Sequence, residues 1–165
     1  PAAEEMTGYT FAEVRGGVLH DFIHHHHPDG RPYPVADCPI DRALPEQFEV
    51  RGHADVFVRK SGAFFPVVCN ARVLYENGAG VGTVIEVRDV TDEKRAADAV
   101  RESEARFRAM ADTAPVMIWV SDADLKVTYL NRPWLEFTGR PLDDELGTGY
   151  AAGIHPDDTA RCSAV

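Results

Sequence analysis

An α+β fold, an antiparallel sheet with short flanking helices plus one long connecting helix, is predicted by three observations. Three apolar runs of period two fall between residues 54 and 90, separated by tight-turn signals. A stretch of about 23 residues from Thr91 to Thr113 contains neither Gly nor Pro and carries a heptad-spaced seam. Two further short apolar runs follow within residues 116–131, again bounded by turn residues.

Residues 1–20 read as short helices. Thr7-Gly8 punctuates them, and Thr10 is placed to cap a turn through Phe11, Val14 and Leu19. Residues 24–47 read as loop, because Pro28, Pro32, Pro34, Pro39 and Pro45 do not fit one regular helix or central strand; a short helix around Asp41–Leu44 is allowed. The period then changes. The predicted strands are 54–59, 63–75 and 80–90, with Lys60-Ser61-Gly62 supplying the first turn and Asn77-Gly78 the second. On the middle strand Val67, Cys69, Ala71 and Val73 share a face, and on the last strand Val81, Thr83, Ile85 and Val87 are in step. Tight turns between successive strands make this an antiparallel meander.

The helical pattern starts at Asp89-Val90-Thr91-Asp92, where Thr91 or Asp92 is the expected cap and Glu93 places an acid in the first turn. About 23 residues give a helix of about 34 Å. Ala96, Val100, Ser103, Phe107 and Met110 follow a 4, 3, 4, 3 spacing, the seam of a dimeric coiled coil. Glu102 with Arg106 and Glu104 with Arg108 are i,i+4 pairs in the favourable order. Ala114-Pro115 ends the helix. Val116–Val120 then reads as a buried strand, Ser121–Asp124 as a turn, Lys126–Leu130 as a second strand, and short helices follow around 133–137 and 142–146.

Composition narrows the function. Hydrophobic residues are 44% and charged residues 27% of 165, ordinary for a globular protein. With 27 acids against 17 dispersed bases the net charge is −10, which disfavours nucleic acid and anionic membrane as partners. No apolar run approaches the ~18 residues of a membrane span. Cys38, Cys69 and Cys162 form no Cys-x-x-Cys pair and read as reduced thiols of a cytoplasmic protein. No nucleophile–base–acid set, phosphate loop or catalytic carboxylate pair is present, so the chain is read as non-enzymatic.

The chain repeats itself. Thr7-Gly8 matches Thr138-Gly139, and the same offset of 131 residues pairs Met6 with Phe137, Phe11 with Leu142, Glu13 with Asp144 and Gly16 with Gly147. Ile23 followed by His27-Pro28-Asp29 has its counterpart in Ile154-His155-Pro156-Asp157, with three extra histidines in the first copy. So long a period indicates duplicated domains.

These motifs resemble the PAS family. Asn131, Trp134 and Phe137-Thr138-Gly139 resemble the turn from the second PAS strand into its first helices, and Ile154-His155-Pro156-Asp157-Asp158 the start of its long helix. Arg59-Lys60-Ser61-Gly62 with Phe65-Pro66-Val67 resembles the hairpin between its third and fourth strands. Val84–Arg88 and then Asp89-Val90-Thr91 resemble its last strand and exit motif. Asp92–Arg95 through Glu102–Glu104 to Arg106-Phe107 is similar to the linker between tandem PAS modules of bacterial sensor kinases.

The resemblance implies that 1–90 is the C-terminal portion of a first PAS domain, 91–113 a signalling linker helix and 114–165 the N-terminal portion of a second. A PAS sheet has five strands, whereas three are expected before the linker and two after it. Residues 116–131 are therefore expected to complete the sheet of 54–90, within the chain or by strand exchange with a partner chain. The function implied is a sensory module of a multidomain signalling protein, a sensor histidine kinase above all, dimeric through the linker. The alternatives are a ligand-free dimerisation scaffold, or the PAS region of a diguanylate cyclase or transcription regulator.

Candidate site residues follow. Phe57, Phe65, Val67 and Val84 are expected to line a small apolar ligand pocket. Asp89 and Thr91 cap the helix and, by the resemblance, couple sheet to helix. The cofactor is unknown: the cysteine motif of flavin-binding PAS domains is absent, and no specific heme motif accompanies His20 or His24–His27. No metal is assigned. His24, His26 and Cys38 come nearest to a ligand set, with His20 and His53 as further imidazoles, but adjacent histidines do not all point one way, and a polar loop ahead of Pro28-Asp29 explains the run. His20 lies in the PAS portion and is rejected as a phospho-accepting histidine.

Overall fold

A computed structural model describes residues 1–158, so Cys162 lies outside the described residues. The chain divides into two compact units, Pro1–Ala96 and the part from Ala97 onward.

The first unit opens with α1 (Ala2–Thr7), α2 (Phe11–Val14) and α3 (Leu19–Ile23). Gly8 ends α1 at φ 79, the left-handed conformation a glycine reaches at least cost. Thr10 and Glu13 form a capping box that starts α2. A loop with one 3-10 turn (Val35–Asp37) leads to α4 (Pro39–Glu46). This helix is longer than the expected 41–44 because Pro39 occupies the first turn, where its missing N–H is no loss. Pro45 falls in the last turn, and Gln47 follows in the left-handed region.

Strands β1 (Val50–Val58), β2 (Phe64–Glu76) and β3 (Ala79–Asp89) form an antiparallel sheet in the order β1-β2-β3. Phe57 pairs with Phe65, Cys69 with Val87, and Ala71 with Ile85. Period two therefore gathers His53, Asp55 and Phe57, then Phe65, Val67, Cys69 and Ala71, then Ile85, Val87 and Asp89 on one face. The core lies on this face, where Ile23, Cys38, Ile40 and Ala43 pack against Phe57, Phe65, Val67 and Cys69.

Helix α5 (Thr91–Thr113) runs from one unit into the next. The second unit continues with β4 (Trp119–Ser121), β5 (Val127–Leu130), α6 (Arg132–Thr138), α7 (Leu142–Glu145) and a 3-10 turn (Gly149–Gly153). The sequence repeat is also a repeat of form: α6 ends at Gly139 with φ 66 as α1 ends at Gly8, and Gly147 shares a positive φ with Gly16.

Two expectations are corrected. Within this chain, residues 116–131 do not complete the sheet of 54–90, because β4 and β5 hydrogen-bond to one another as a separate two-stranded sheet. Nor is 116–120 a buried strand: only Trp119–Ser121 is β4, and Val116, Met117, Trp119 and Val120 are exposed.

Candidate functional site

In the first unit, a cavity of about 620 Å³ lies between the N-terminal helices and the inner face of the sheet. Its walls include Met6, Phe11, Leu19, Ile23, Phe57 and Ile85. The size is that of a small-molecule pocket, and the lining is apolar. Of the residues expected there, Phe57 lines it. Phe65 and Val67 are buried in the core on the same sheet face and do not line it. Val84 is a correction: it stands on the opposite face, 51% exposed, because side chains alternate along β3 and Ile85 and Val87 take the inward positions.

Beside this cavity, ionisable side chains lie where the sequence suggested a polar loop. His20 and His24 are each 3% exposed and Cys38 is fully buried. His20 reaches the Asp41 carboxylate with Nδ1 at 3.0 Å and the Tyr33 carbonyl with Nε2 at 2.7 Å. Nδ1 of His24 meets the Cys38 sulfur at 3.4 Å, while Nε2 faces Asp55 at 3.0 Å. Asp55 also contacts His53 at 3.0 Å and accepts from the Val56 N–H. Burial pushes the Cys38 thiol up to about 12, aided by its hydrogen bond to Asp41. Burial would also raise the Asp55 carboxyl, but His24, the Val56 N–H and His53 hold it below the ordinary carboxylate range. Donor atoms of His20, His24 and Cys38 lie within 4.8 Å of one another. His26 does not join them; it contacts His25 and the Phe64 ring on a local bridge with Pro32. Histidine number misled the sequence reading here: the run contributes one buried ring, and the second comes from α3.

At the joint of β3 and α5, Asp89, one of the two residues expected there, is the acceptor and Thr91 the donor. Its Oδ1 takes the Thr91 N–H at 2.9 Å and the Thr91 hydroxyl at 2.5 Å. Arg59 donates to the other carboxylate oxygen at 2.6 Å and to the Met6 carbonyl, and its guanidinium lies 3.9 Å above the Phe65 ring. Partial burial opposes ionisation of Asp89, but the Thr91 and Arg59 hydrogen bonds outweigh it and lower the pKa. Arg59 was legible in the sequence only as part of a hairpin; its partner lies 30 residues away.

Along α5, the seam residues Ala96, Val100, Ser103, Phe107 and Met110 are all exposed. Phe107 also approaches the Tyr129 ring at 5.4 Å in the second unit. The end of the helix is fastened there by Asn131, which is fully buried. Its Nδ2 donates to the Ala111 and Val116 carbonyls at 2.7 and 2.8 Å, and its Oδ1 accepts from Ile118 and Trp134. All four hydrogen-bonding positions of the amide are used. Asp112 adds acceptors for the Tyr129 hydroxyl and the Arg132 N–H.

Among the described residues no helix is long and apolar enough to cross a membrane. Comparison with known proteins agrees with the duplicated architecture. A PAS domain family model matches residues 1–92 and another matches residues 105–163. Over 72 residues the chain is 47% identical to the uncharacterized protein y4lL of Sinorhizobium fredii, covering 44% of this chain and 9% of that protein. The peroxide stress-activated histidine kinase mak1 of Schizosaccharomyces pombe is 25% identical over 84 residues, 49% of this chain and 5% of the kinase. The two-component sensor PprA of Pseudomonas aeruginosa is 34% identical over 74 residues, 40% of this chain and 8% of the sensor. The matched segments thus span less than a tenth of each relative. A solved sensory box histidine kinase/response regulator from Burkholderia thailandensis superposes with a TM-score of 0.41 at 23% identity, covering 66% of this chain and 79% of that one. The chain belongs to the PAS domain family.

Proposed function

We propose that this chain is the sensory region of a multidomain cytoplasmic signalling protein, a sensor histidine kinase, and that its task is to pass a stimulus from the first PAS unit through α5 to the second. The observation that carries this reading is the fastening of both helix ends. At the start, Asp89 accepts from Thr91 and Arg59; at the end, Asn131 donates to the Ala111 carbonyl and Asp112 accepts from Arg132. A shift of the inner sheet face at Val67 and Asp89, which are paired, would be felt by the first turn of the helix. The histidine kinase and two-component sensor among the relatives support the choice of output. Signalling of this kind requires a ligand or stimulus that favours one of two helix arrangements by a few kcal/mol. The apolar cavity beside Phe57 supplies a place for a small molecule.

In the parent protein, Asp89→Ala with Thr91→Ala should abolish stimulus-dependent output and leave basal output, with a melting temperature lowered by the lost cap but the fold retained. Unchanged signalling would count against the coupling. Thermal-shift screening tests the sensing itself, since a ligand that binds the folded state raises the melting temperature.

A second reading is favoured by the exposed heptad seam: a dimerisation scaffold that holds two chains together through Val100, Phe107 and Met110 without a ligand. Sedimentation analysis of Val100→Asp with Met110→Asp tests the seam, and the ligand screen separates the two readings. Dimer loss alone fits both readings, whereas a silent ligand screen with an intact dimer fits only the scaffold.

A further inference from the structure

We propose that His20, His24 and Cys38, with Asp41 as fourth ligand, form a site for one divalent transition-metal ion of the zinc class in the first unit. The proposal goes beyond the signalling reading and does not depend on it. A carbonyl oxygen only accepts, so the His20 Nε2 that meets Tyr33 at 2.7 Å carries a hydrogen. Nδ1 of the same ring then faces the Asp41 carboxylate at 3.0 Å, lone pair against lone pair. The two atoms thus stand as two donors turned toward one position, where a metal ion would be held by both.

His24 has the same arrangement. Nε2 is turned to Asp55 at 3.0 Å, and Nδ1 points at the Cys38 sulfur at 3.4 Å. Metal-binding imidazoles are generally held through their second nitrogen by a carboxylate or a backbone carbonyl. The Tyr33 carbonyl and Asp55 stand in those two places. The His24–Asp55 contact is short but off-axis, which leaves Nε2 without an aligned acceptor; a metal on Nδ1 that turned the ring would align it.

Size and charge agree. Metal–nitrogen distances of about 2.0–2.1 Å and a metal–sulfur distance of about 2.3 Å put tetrahedral ligand atoms about 3.4–3.6 Å apart. One edge, His24 to Cys38, already measures 3.4 Å, and the three donors lie within 4.8 Å, so a small contraction closes the site. A cavity of about 20 Å³, large enough for one ion, is lined by His20, His24, Cys38 and Asp41 together with apolar side chains such as Ile23 and Phe57. One thiolate and one carboxylate neutralise a divalent cation, so the loaded site buries no net charge. Two imidazoles and a thiolate select zinc-like ions over magnesium or calcium. Coordination displaces the Cys38 thiol proton to solvent, so affinity rises with pH.

The test uses the 165-residue chain purified without a histidine tag, stripped with chelator and titrated with Co²⁺. One equivalent should give a thiolate-to-cobalt charge-transfer band in the near ultraviolet together with tetrahedral visible bands, and Zn²⁺ should abolish both. The Cys69→Ser, Cys162→Ser chain keeps Cys38 as its sole thiol and should retain the spectrum. Cys38→Ser should lose the charge-transfer band. His20→Gln and His24→Gln should each weaken binding by more than about tenfold, while His25→Gln with His26→Gln leaves it unchanged. The proposal is overturned if the double serine chain gives no such band, or if binding disappears with the His25 and His26 substitutions. Should Cys38→Ser fail to fold, the double serine chain decides alone.

Discussion

The two copies of the repeat share a frame and differ in what they bury. In both, a short helix ends at a left-handed glycine, Gly8 or Gly139, and a one-turn helix follows, Phe11–Val14 or Leu142–Glu145. Beyond that frame the first copy inserts three histidines and places His20, His24 and Cys38 under a sheet. At the same offset the second copy has Ala151 in place of His20 and an exposed histidine, His155, in place of the buried His24. Its buried polar groups are Asn131, a neutral amide with every hydrogen bond made, and Glu145, a single carboxylate facing Arg140 at 3.5 Å. A duplicated frame thus carries two kinds of polar interior. An ionisable cluster can exchange protons or a metal, whereas a saturated amide fixes geometry.

The difference can be tested unit by unit, because both tryptophans, Trp119 and Trp134, belong to the second unit. Tryptophan fluorescence therefore follows that unit alone, and thiol accessibility of the buried Cys38 and Cys69 follows the first. Phe57 is 2% exposed and packs on His24 and Phe65, so Phe57→Ala should destabilise the first unit by about 3–5 kcal/mol. The denaturant midpoint for thiol exposure should fall while the fluorescence midpoint holds. Asn131→Ala should do the reverse. It strands the Val116 carbonyl and the Ile118 N–H, at about 1–3 kcal/mol for each group left unpaired. If either substitution moved both midpoints equally, the units would not be separate in stability.

Smaller effects sharpen the shared frame. Gly8→Ala and Gly139→Ala should each cost about 1–2 kcal/mol, the first in the first unit and the second in the second. Unequal losses would show that Lys60, whose Cβ lies 3.4 Å from the site of a Gly8 side chain, makes the first turn tighter. The pH response should mark the first unit. Asp55 and Asp89 have lowered pKa values, so their contribution is present above the ordinary carboxylate pKa and is lost as pH falls through the folded-state values. Asp89→Asn should flatten part of that acid-side decline, by about 1 kcal/mol at neutral pH. Smallest of all, Glu102→Ala removes an exposed pair with Arg106 and should cost about 0.3–0.5 kcal/mol, read from the helical circular dichroism.

Much of this was legible in the residues. The helix Thr91–Thr113, the meander and the two copies follow from local signals: Gly-free heptad spacing, Asn77-Gly78 and period-two alternation. These depend on neighbours within a turn or a hairpin, which sequence displays directly. The strand face of Val84 was misread because period two needs an anchor, and only pairing of Ala71 with Ile85 supplies it. The loop of histidines was misread for another reason. Whether His24 is solvated or buried depends on Cys38, Asp55 and Phe57, which are 14, 31 and 33 positions further along the chain.

By itself, then, the sequence determined the order of elements, the duplication and the PAS membership, because each rests on periodicity and short motifs. Tertiary structure alone decided that β4 and β5 pair with each other, that Arg59 clasps Asp89, and that His20, His24 and Cys38 converge. Those outcomes depend on contacts between distant segments. Loop closure sets which segments meet, and a buried polar group accepts whichever partner the packing brings within reach.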